Sequence, residues 1–170
     1  VEAFFSGLNK SQNPAKACVR ALSIGALELQ KSFTRLLSAG LVKLSTVMSS
    51  TAMSVHILEL IASVGHMPAC YVNFTEGDYR RVFGIALQYI QYHQSSNAAR
   101  EDFKASPSAF ALSQYVMMLA YYNLALWFML LRVSERPKHM QSIARGLLLA
   151  NDGLDKISDQ TEVMFAFLAR

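Results

Sequence analysis

Apolar and polar positions along this chain alternate with a helical period almost throughout. Phe33, Leu36, Leu37, Leu41, Leu44 and Met48 recur at i, i+3, i+4, i+8, i+11 and i+15, the stripe of a half-buried helix. The same spacing places Met53, Ile57, Leu60, Ile61 and Val64 on one face, with Ser54, Glu59 and Ser63 off it. It recurs in Tyr79, Val82, Phe83, Ala86, Tyr89 and Ile90, and again in Met140, Ile143, Ala144, Leu147 and Leu148. One stretch departs from the rule. From Ser106 to Leu131 the chain is apolar on nearly every face, and no charged residue lies between Lys104 and Arg132. Such a helix is surrounded by other helices or by lipid.

Punctuation residues divide the chain. Val1 to Leu8 reads as the last turns of a helix and Asn9 to Asn13 as a polar loop. Asn13-Pro14 is a cap followed by the residue favoured at a first helical position, and it opens a helix to about Leu29. Gly25 weakens the middle of that helix by roughly 1 kcal/mol relative to alanine. A helix over Ser32 to Met48 follows, then a break at Ser49 to Thr51 and a third helix closed by Pro68. After the connector Ala69 to Phe74, Thr75 caps a fourth helix with Asp78 three residues on, a capping box. That helix is expected to fade near His93, leaving Gln94 to Ala105 as a solvated loop. Ser106-Pro107 opens the uncharged helix, and Arg132 to Arg136 makes a tight turn. Pro137 opens a helix to Ala150, and Asn151 to Ser158 is a polar linker. Ser158-Asp159 starts a final helix bearing Val163, Met164, Phe165, Phe167 and Leu168.

No segment favours strands. The pattern predicts an all-α fold of about seven helices stacked as antiparallel hairpins, and the hairpin spacing of about 40 residues falls in the range of HEAT-type repeats. Residues 1–170 form a single fragment of such a helical repeat domain. The segment Ala109 to Leu131 is long enough to span a bilayer, since about 20 apolar residues suffice. Ser113, Gln114 and Asn123 would find no partners there. Tyr121-Tyr122 sits mid-segment rather than at an interface. The other helices are amphipathic, as water on one side requires. The expectation is therefore an inner helix of a stack, with Asn123 bonded to a neighbouring loop; a helical membrane-embedded fragment is the alternative.

Composition narrows the classes. Of 170 residues 52% are hydrophobic and only 16% charged, which points to large buried surfaces or to a piece of something larger. Both ends fall in mid-pattern and read as cuts. The net charge of +4 comes from basic residues in singles or short groups such as Arg80-Arg81, so nucleic-acid binding is not expected. Cys18 and Cys70 lie far apart and read as reduced thiols. Nothing at the N-terminus resembles a signal peptide.

The candidate chemistry is sparse. His66 and Cys70, with His56, suggest a metal site, but Pro68 interrupts the segment and no second close pair exists. They read as a surface histidine and a buried thiol. Arg80 and Arg81 lie on a helix beside its stripe rather than on a phosphate-facing loop, and read as a solvated face. Asn73-Phe74-Thr75 fits a glycosylation sequon but reads as a loop running into a cap. Met117, Met118 and Met129 read as core filling rather than as an adaptable groove. No catalytic, cofactor-binding or metal-ligating residue is assigned, and no cofactor is expected.

Several blocks, taken in order, resemble the central helical region of the tuberin family. They are Leu41-Val42-Lys43-Leu44 through Thr51-Ala52-Met53-Ser54-Val55, Leu58-Glu59-Leu60, Tyr71-Val72-Asn73-Phe74 and Val82-Phe83-Gly84-Ile85-Ala86-Leu87. Gln114-Tyr115-Val116, Leu119-Ala120-Tyr121, Ala125-Leu126-Trp127-Phe128 and Ile143-Ala144-Arg145-Gly146-Leu147 follow. The resemblance runs from Asn13 to Leu149. It implies a HEAT-like α-solenoid in a cytoplasmic protein recruited to the lysosomal surface as part of a complex. The implied partners are hamartin and further tuberin copies. The family accelerates GTP hydrolysis by the small GTPase Rheb, and so restrains mTOR signalling, through a catalytic asparagine in a separate domain that nothing here resembles. Asn123 is not that residue. The implied role is a non-catalytic scaffold that mediates complex assembly or self-association. One departure is visible: the family carries a long serine-rich segment before the helix resembling Thr161 to Arg170, where this chain has only Asn151 to Ser158.

Overall fold

The computed structural model describes residues 1–8, 12–47, 51–98, 106–152, 154 and 156–170. Among them are eight α-helices and no strand: α1 (Glu2–Gly7), α2 (Gln12–Glu28), α3 (Gln30–Thr46), α4 (Thr51–Gly65), α5 (Glu76–Ala98), α6 (Pro107–Leu130), α7 (Arg136–Ala150) and α8 (Asp159–Leu168). Short 3-10 turns occupy Pro68–Cys70 and Val133–Glu135. The chain divides into two compact units, Val1–Ile85 and Ala86–Arg170, with the division inside α5.

In the first unit α2 packs against α1, α3 and α4. Its core holds Phe5, Val19, Leu22, Phe33, Leu37 and Leu41, with the α4 residues Ile57 and Leu60. The rings of Phe5 and Phe33 meet at 5.9 Å between centroids. Gly40 lets α1 come this close, because a side chain there would collide with the Phe5 ring. Burial accounts for the stripe expected on α4, with one correction: Ser54, expected off that face, is buried. Its hydroxyl is small enough to share the packed side. The capping box at α5 is complete. The Thr75 N–H donates to Asp78 Oδ2 at 2.9 Å, and the Asp78 N–H donates to Thr75 Oγ1 at 3.3 Å. The Thr75 hydroxyl also donates to Asp78 Oδ2 at 2.7 Å, and Arg81 pairs with Oδ1 at 3.1 Å.

In the second unit α6 and α7 both pack on α8. Trp127 is fully buried, with Val116, Ala120, Leu124, Ile143 and Leu147 around the same core. Gly146 faces Leu87 of α5 so closely that a Cβ there would press on that side chain.

Several expected boundaries move. α2 starts at Gln12, so Asn13 lies inside its first turn rather than capping it, and α3 starts at Gln30 from the N-cap position Leu29. Ser106 does hold the N-cap position of α6, but its side chain makes no capping hydrogen bond. α5 continues to Ala98, so the residues read as the start of a solvated loop extend a helix, and Gln94 is buried. The rest of that expected loop, residues 99–105, and the break at Ser49 and Ser50 lie outside the described residues, as does Met48. On α7 the inward positions are His139, Ile143, Leu147 and Ala150, while Met140 and Leu148 are exposed. That face is rotated by about one residue from the expected one, and it continues into Asn151, which is buried at the end of the helix. No single helix among the described residues is long and apolar enough to cross a membrane; α6 and α7 pass such a test only as a pair bent by 114°.

Two outcomes test this packing. Trp127→Ala should destabilise the chain by about 3–5 kcal/mol in urea unfolding, the range for emptying a large aromatic site; a loss below about 1 kcal/mol would place the indole outside the core. Asp78 supplies a pH test. Burial raises its pKa, but the Thr75 N–H and hydroxyl, the Ser38 hydroxyl and the charge of Arg81 together outweigh burial and hold it below the ordinary aspartate value of 3.8. A group depressed in the folded state contributes stability that is complete above the unfolded pKa and is lost as pH falls through the folded one. Urea midpoints measured from pH 7 downward should therefore fall more steeply below about pH 4 for the wild type than for Asp78→Asn. Parallel curves would remove Asp78 from the acid response.

Candidate docking faces and the polar knot behind them

Asn151 ends α7 and points back into the second unit, where it makes all four hydrogen bonds an asparagine side chain allows. Its Oδ1 accepts from Gln94 Nε2 and from the Ser158 backbone N–H, both at 2.8 Å. Its Nδ2 donates to the Leu147 carbonyl at 2.7 Å and to Thr161 Oγ1 at 2.9 Å. The backbone N–H of Ser158 can only donate, so the amide orientation follows from the network. Thr161 is equally saturated. Besides the Asn151 contact, its hydroxyl lies 2.7 Å from the Tyr121 hydroxyl and accepts from Ser158 Oγ at 3.0 Å. Ser158 in turn caps α8 by accepting from the Thr161 N–H at 3.4 Å. One knot of neutral side chains thus ties α5, α6, the end of α7 and the start of α8. Fully satisfied networks of this kind specify a single packing arrangement.

Beside the knot lies a cavity of about 290 Å³ walled by Gln94, Gln114, Tyr121 and Ser158, among others. Gln94 Oε1 is buried here without a protein hydrogen-bond partner. The cavity has room for water, which would supply the missing donor. Nearby, His93 Nδ1 and Ser113 Oγ lie 3.0 Å apart, and Asn123 Nδ2 donates to the Leu119 carbonyl of its own helix at 2.9 Å. The neighbouring loop expected for Asn123 is thus not the acceptor of this bond.

The outer side of α6 departs most from the sequence reading. Leu112, Tyr115, Met118, Tyr122 and Met129 are exposed at intervals that trace one line along the helix. Met118 and Met129, expected as core filling, are 59% and 56% exposed. Methionine recurs on surfaces that adapt to partner helices. Toward the C-terminal end of α6 this line meets a groove of about 530 Å³, bounded by Phe128, Met129, Val133, Arg136, Met140 and Phe167 among others. In the first unit, Ile24, Leu27 and Leu29 are exposed at the end of α2.

The residues considered for chemistry are scattered. His66 is exposed and Cys70 fully buried, its thiol donating to the Ala26 carbonyl at 3.6 Å. Burial pushes the Cys70 thiol up, away from the thiolate that a metal or a reaction would use. Among the described residues no three His, Cys, Asp or Glu side chains come together as a metal site. Arg80 pairs with Glu76 on an exposed face. Neither Asn151 nor Gln94 stood out in the sequence, one lying in an expected linker and the other in an expected loop. A signal existed for Gln94: the α5 stripe of Tyr89 and Ile90 continues at helical spacing into His93 and Gln94.

The sequence model of the Tuberin family matches residues 1–99. The chain belongs to the Tuberin family. The Tuberous sclerosis 2 protein homolog of Schizosaccharomyces pombe is 39% identical to it over 155 residues, which is 90% of this chain and 12% of that protein. The chain therefore spans about one eighth of the length of the curated relative it matches. The Tuberin-family match takes in all of the first unit and all of α5. The polar knot and the groove lie mainly beyond it, in the part of the chain that the longer alignment partly covers.

The knot should be sensitive at its centre. Asn151→Ala leaves Gln94 Nε2, the Ser158 N–H and Thr161 short of partners, and should cost about 1–3 kcal/mol in urea unfolding. Asp152→Ala, one residue on and exposed, should change stability by less than about 0.5 kcal/mol. Equal effects from the two would mean that the network contributes nothing.

Proposed function

We propose that this chain is a non-catalytic, HEAT-like α-solenoid segment of a tuberin-like protein and acts as a scaffold for complex assembly. The observation that carries the reading is the outer line of α6, an uncharged helix that presents apolar residues on its outer side as well as its inner one. Helices packed on their chain neighbours, α1 on α2 and α2 on α3 and α4, are what stacked hairpins use, and stacked helices offer partners rigid area without new chemistry. In this reading the parent protein binds hamartin and further tuberin copies and works in the cytoplasm at the lysosomal surface. It would accelerate GTP hydrolysis by Rheb through a different domain, restraining mTOR signalling. The embedded-fragment alternative draws on the bent α6–α7 pair. The knot of Asn151, Thr161 and Ser158 is satisfied inside the protein and needs no such environment.

The purified chain should leave the GTP-hydrolysis rate of Rheb unchanged, and any real acceleration would defeat the non-catalytic assignment. It should also stay in the supernatant of a high-speed spin without detergent and unfold cooperatively. Loss to the pellet unless detergent is added would favour the embedded alternative. Co-expressed hamartin should co-purify with the wild-type chain and be lost on Met118→Asp; retention would remove the α6 line from the interface.

A further inference from the structure

The groove at the end of α6 has a charge pattern that says what fills it. Its floor is built by Phe128 and Phe167, whose ring centroids lie 6.0 Å apart. Met129 and Val133, 56% and 75% exposed, stand at its edge. A second hollow of about 410 Å³, lined by Tyr121, Ala125, Val163 and Met164 with Asp159 also in its wall, shares Phe167 with it. The two thus continue along α6 from Met129 back to Tyr121, a helical advance of about 12 Å, which suits two to three turns of an incoming helix.

Arg136 sets the chemistry of that helix. Its guanidinium lies over the Phe128 ring at 5.5 Å, and one terminal nitrogen donates to the Met129 carbonyl at 3.1 Å. Its Nε is buried without an acceptor. Among the described residues no carboxylate pairs with Arg136, while the neighbouring Glu135 is taken by Lys138 at 3.6 Å. Arg170 also lines the groove, and the exposed Arg132 lies just before the Val133 turn. The groove is therefore apolar in its floor and cationic at one wall. Arg136 as a whole is only half-buried, so the outer part of its guanidinium stands in the groove wall, where an incoming carboxylate would meet it with the strength of a charge-assisted bond.

We propose that this groove binds an amphipathic α-helix of a partner protein, with apolar side chains laid over Phe128 and Phe167 and an aspartate or glutamate brought to Arg136. This is the helix-in-groove mode of recognition. The cation stands in the wall of a concave surface, which a helix can enter and a flat bilayer cannot. The proposal rests on the scaffold reading only in treating the surface as one that binds protein.

A displayed library of helical peptides, with leucine fixed at i, i+3, i+4 and i+7 and all other positions randomised, is selected against the folded chain. The peptides recovered should share an acidic residue at one recurring position. Their Kd should rise about tenfold or more on Arg136→Gln. Charge reversal by Arg136→Glu should be rescued by lysine at the acidic peptide position. Val133→Asp, on an exposed turn, should weaken binding as well. Circular dichroism and melting check that each variant is folded. The proposal is overturned by no binders, by binders without an acidic preference, by binding indifferent to both Arg136→Gln and Val133→Asp, or by equal competition by vesicles of phosphatidylcholine and phosphatidylserine. Self-association of the chain that Arg136→Glu abolishes would make a second copy the occupant and would equally overturn it. Hamartin co-purification reports on the scaffold reading separately, so the two can fail independently.

Discussion

A helix of 24 residues without a charge has no polar face to give to water, and covering it is the constraint on which the second unit depends. Half of the problem is solved inside the chain. Trp127, Leu124, Ala120 and Val116 turn inward and are buried to nearly nothing, with α8 laid against the same helix. The other half is left open, because Leu112, Tyr115, Met118, Tyr122 and Met129 point outward. Exposed apolar residues scattered singly need no explanation, whereas a continuous line of them marks a surface that something else covers.

What keeps that inner packing unique is polar. Apolar contacts are non-directional and tolerate sliding, so a helix pair held by them alone has many near-equivalent registers. Asn151 removes that freedom. Its four bonds reach Gln94 on α5, the Leu147 carbonyl on α7, and Ser158 and Thr161 at the start of α8, and Thr161 passes the network to Tyr121 on α6. Any shift by one residue would leave several of these groups buried and unpaired. In the first unit Thr75 and Asp78 do the corresponding work at the start of α5, where the buried carboxylate is also held by Ser38 of α3 and by Arg81.

A covered interior and an uncovered outer line are the two features of α6 on which the proposed scaffold role rests. Residues with catalytic potential are scattered, and Cys70, the most buried of them, is a closed thiol bonded to the Ala26 carbonyl. The distinctive chemistry outside the core is instead that of Arg136: a guanidinium stacked on Phe128 inside an apolar groove, with one donor unmet. The chain belongs to the Tuberin family and covers 12% of the Schizosaccharomyces pombe relative it matches, and its open helix faces are what the proposed scaffold role draws on.

Period determined the all-helical class and the stripes of α3, α4 and the first part of α5, residue types three apart pointed to the capping box of Thr75 and Asp78, and the lack of any charge along α6 pointed to the interior place of Trp127. These are local properties, set by side chains within a turn or two of each other. The order of core blocks was enough to reveal the family. Tertiary structure decided the rest. An uncharged helix shows no polar side from which to read its orientation, so only its neighbours could say that Met118 and Met129 face outward. Gln94 and Asn151 looked like loop residues because a polar side chain reads as solvated until partners from distant positions are seen around it. The α7 face that leaves Met140 and Leu148 outside runs on into Asn151, whose partners Thr161 and Ser158 lie ten and seven residues beyond it, and no helical period carries information about a bond that closes across a turn.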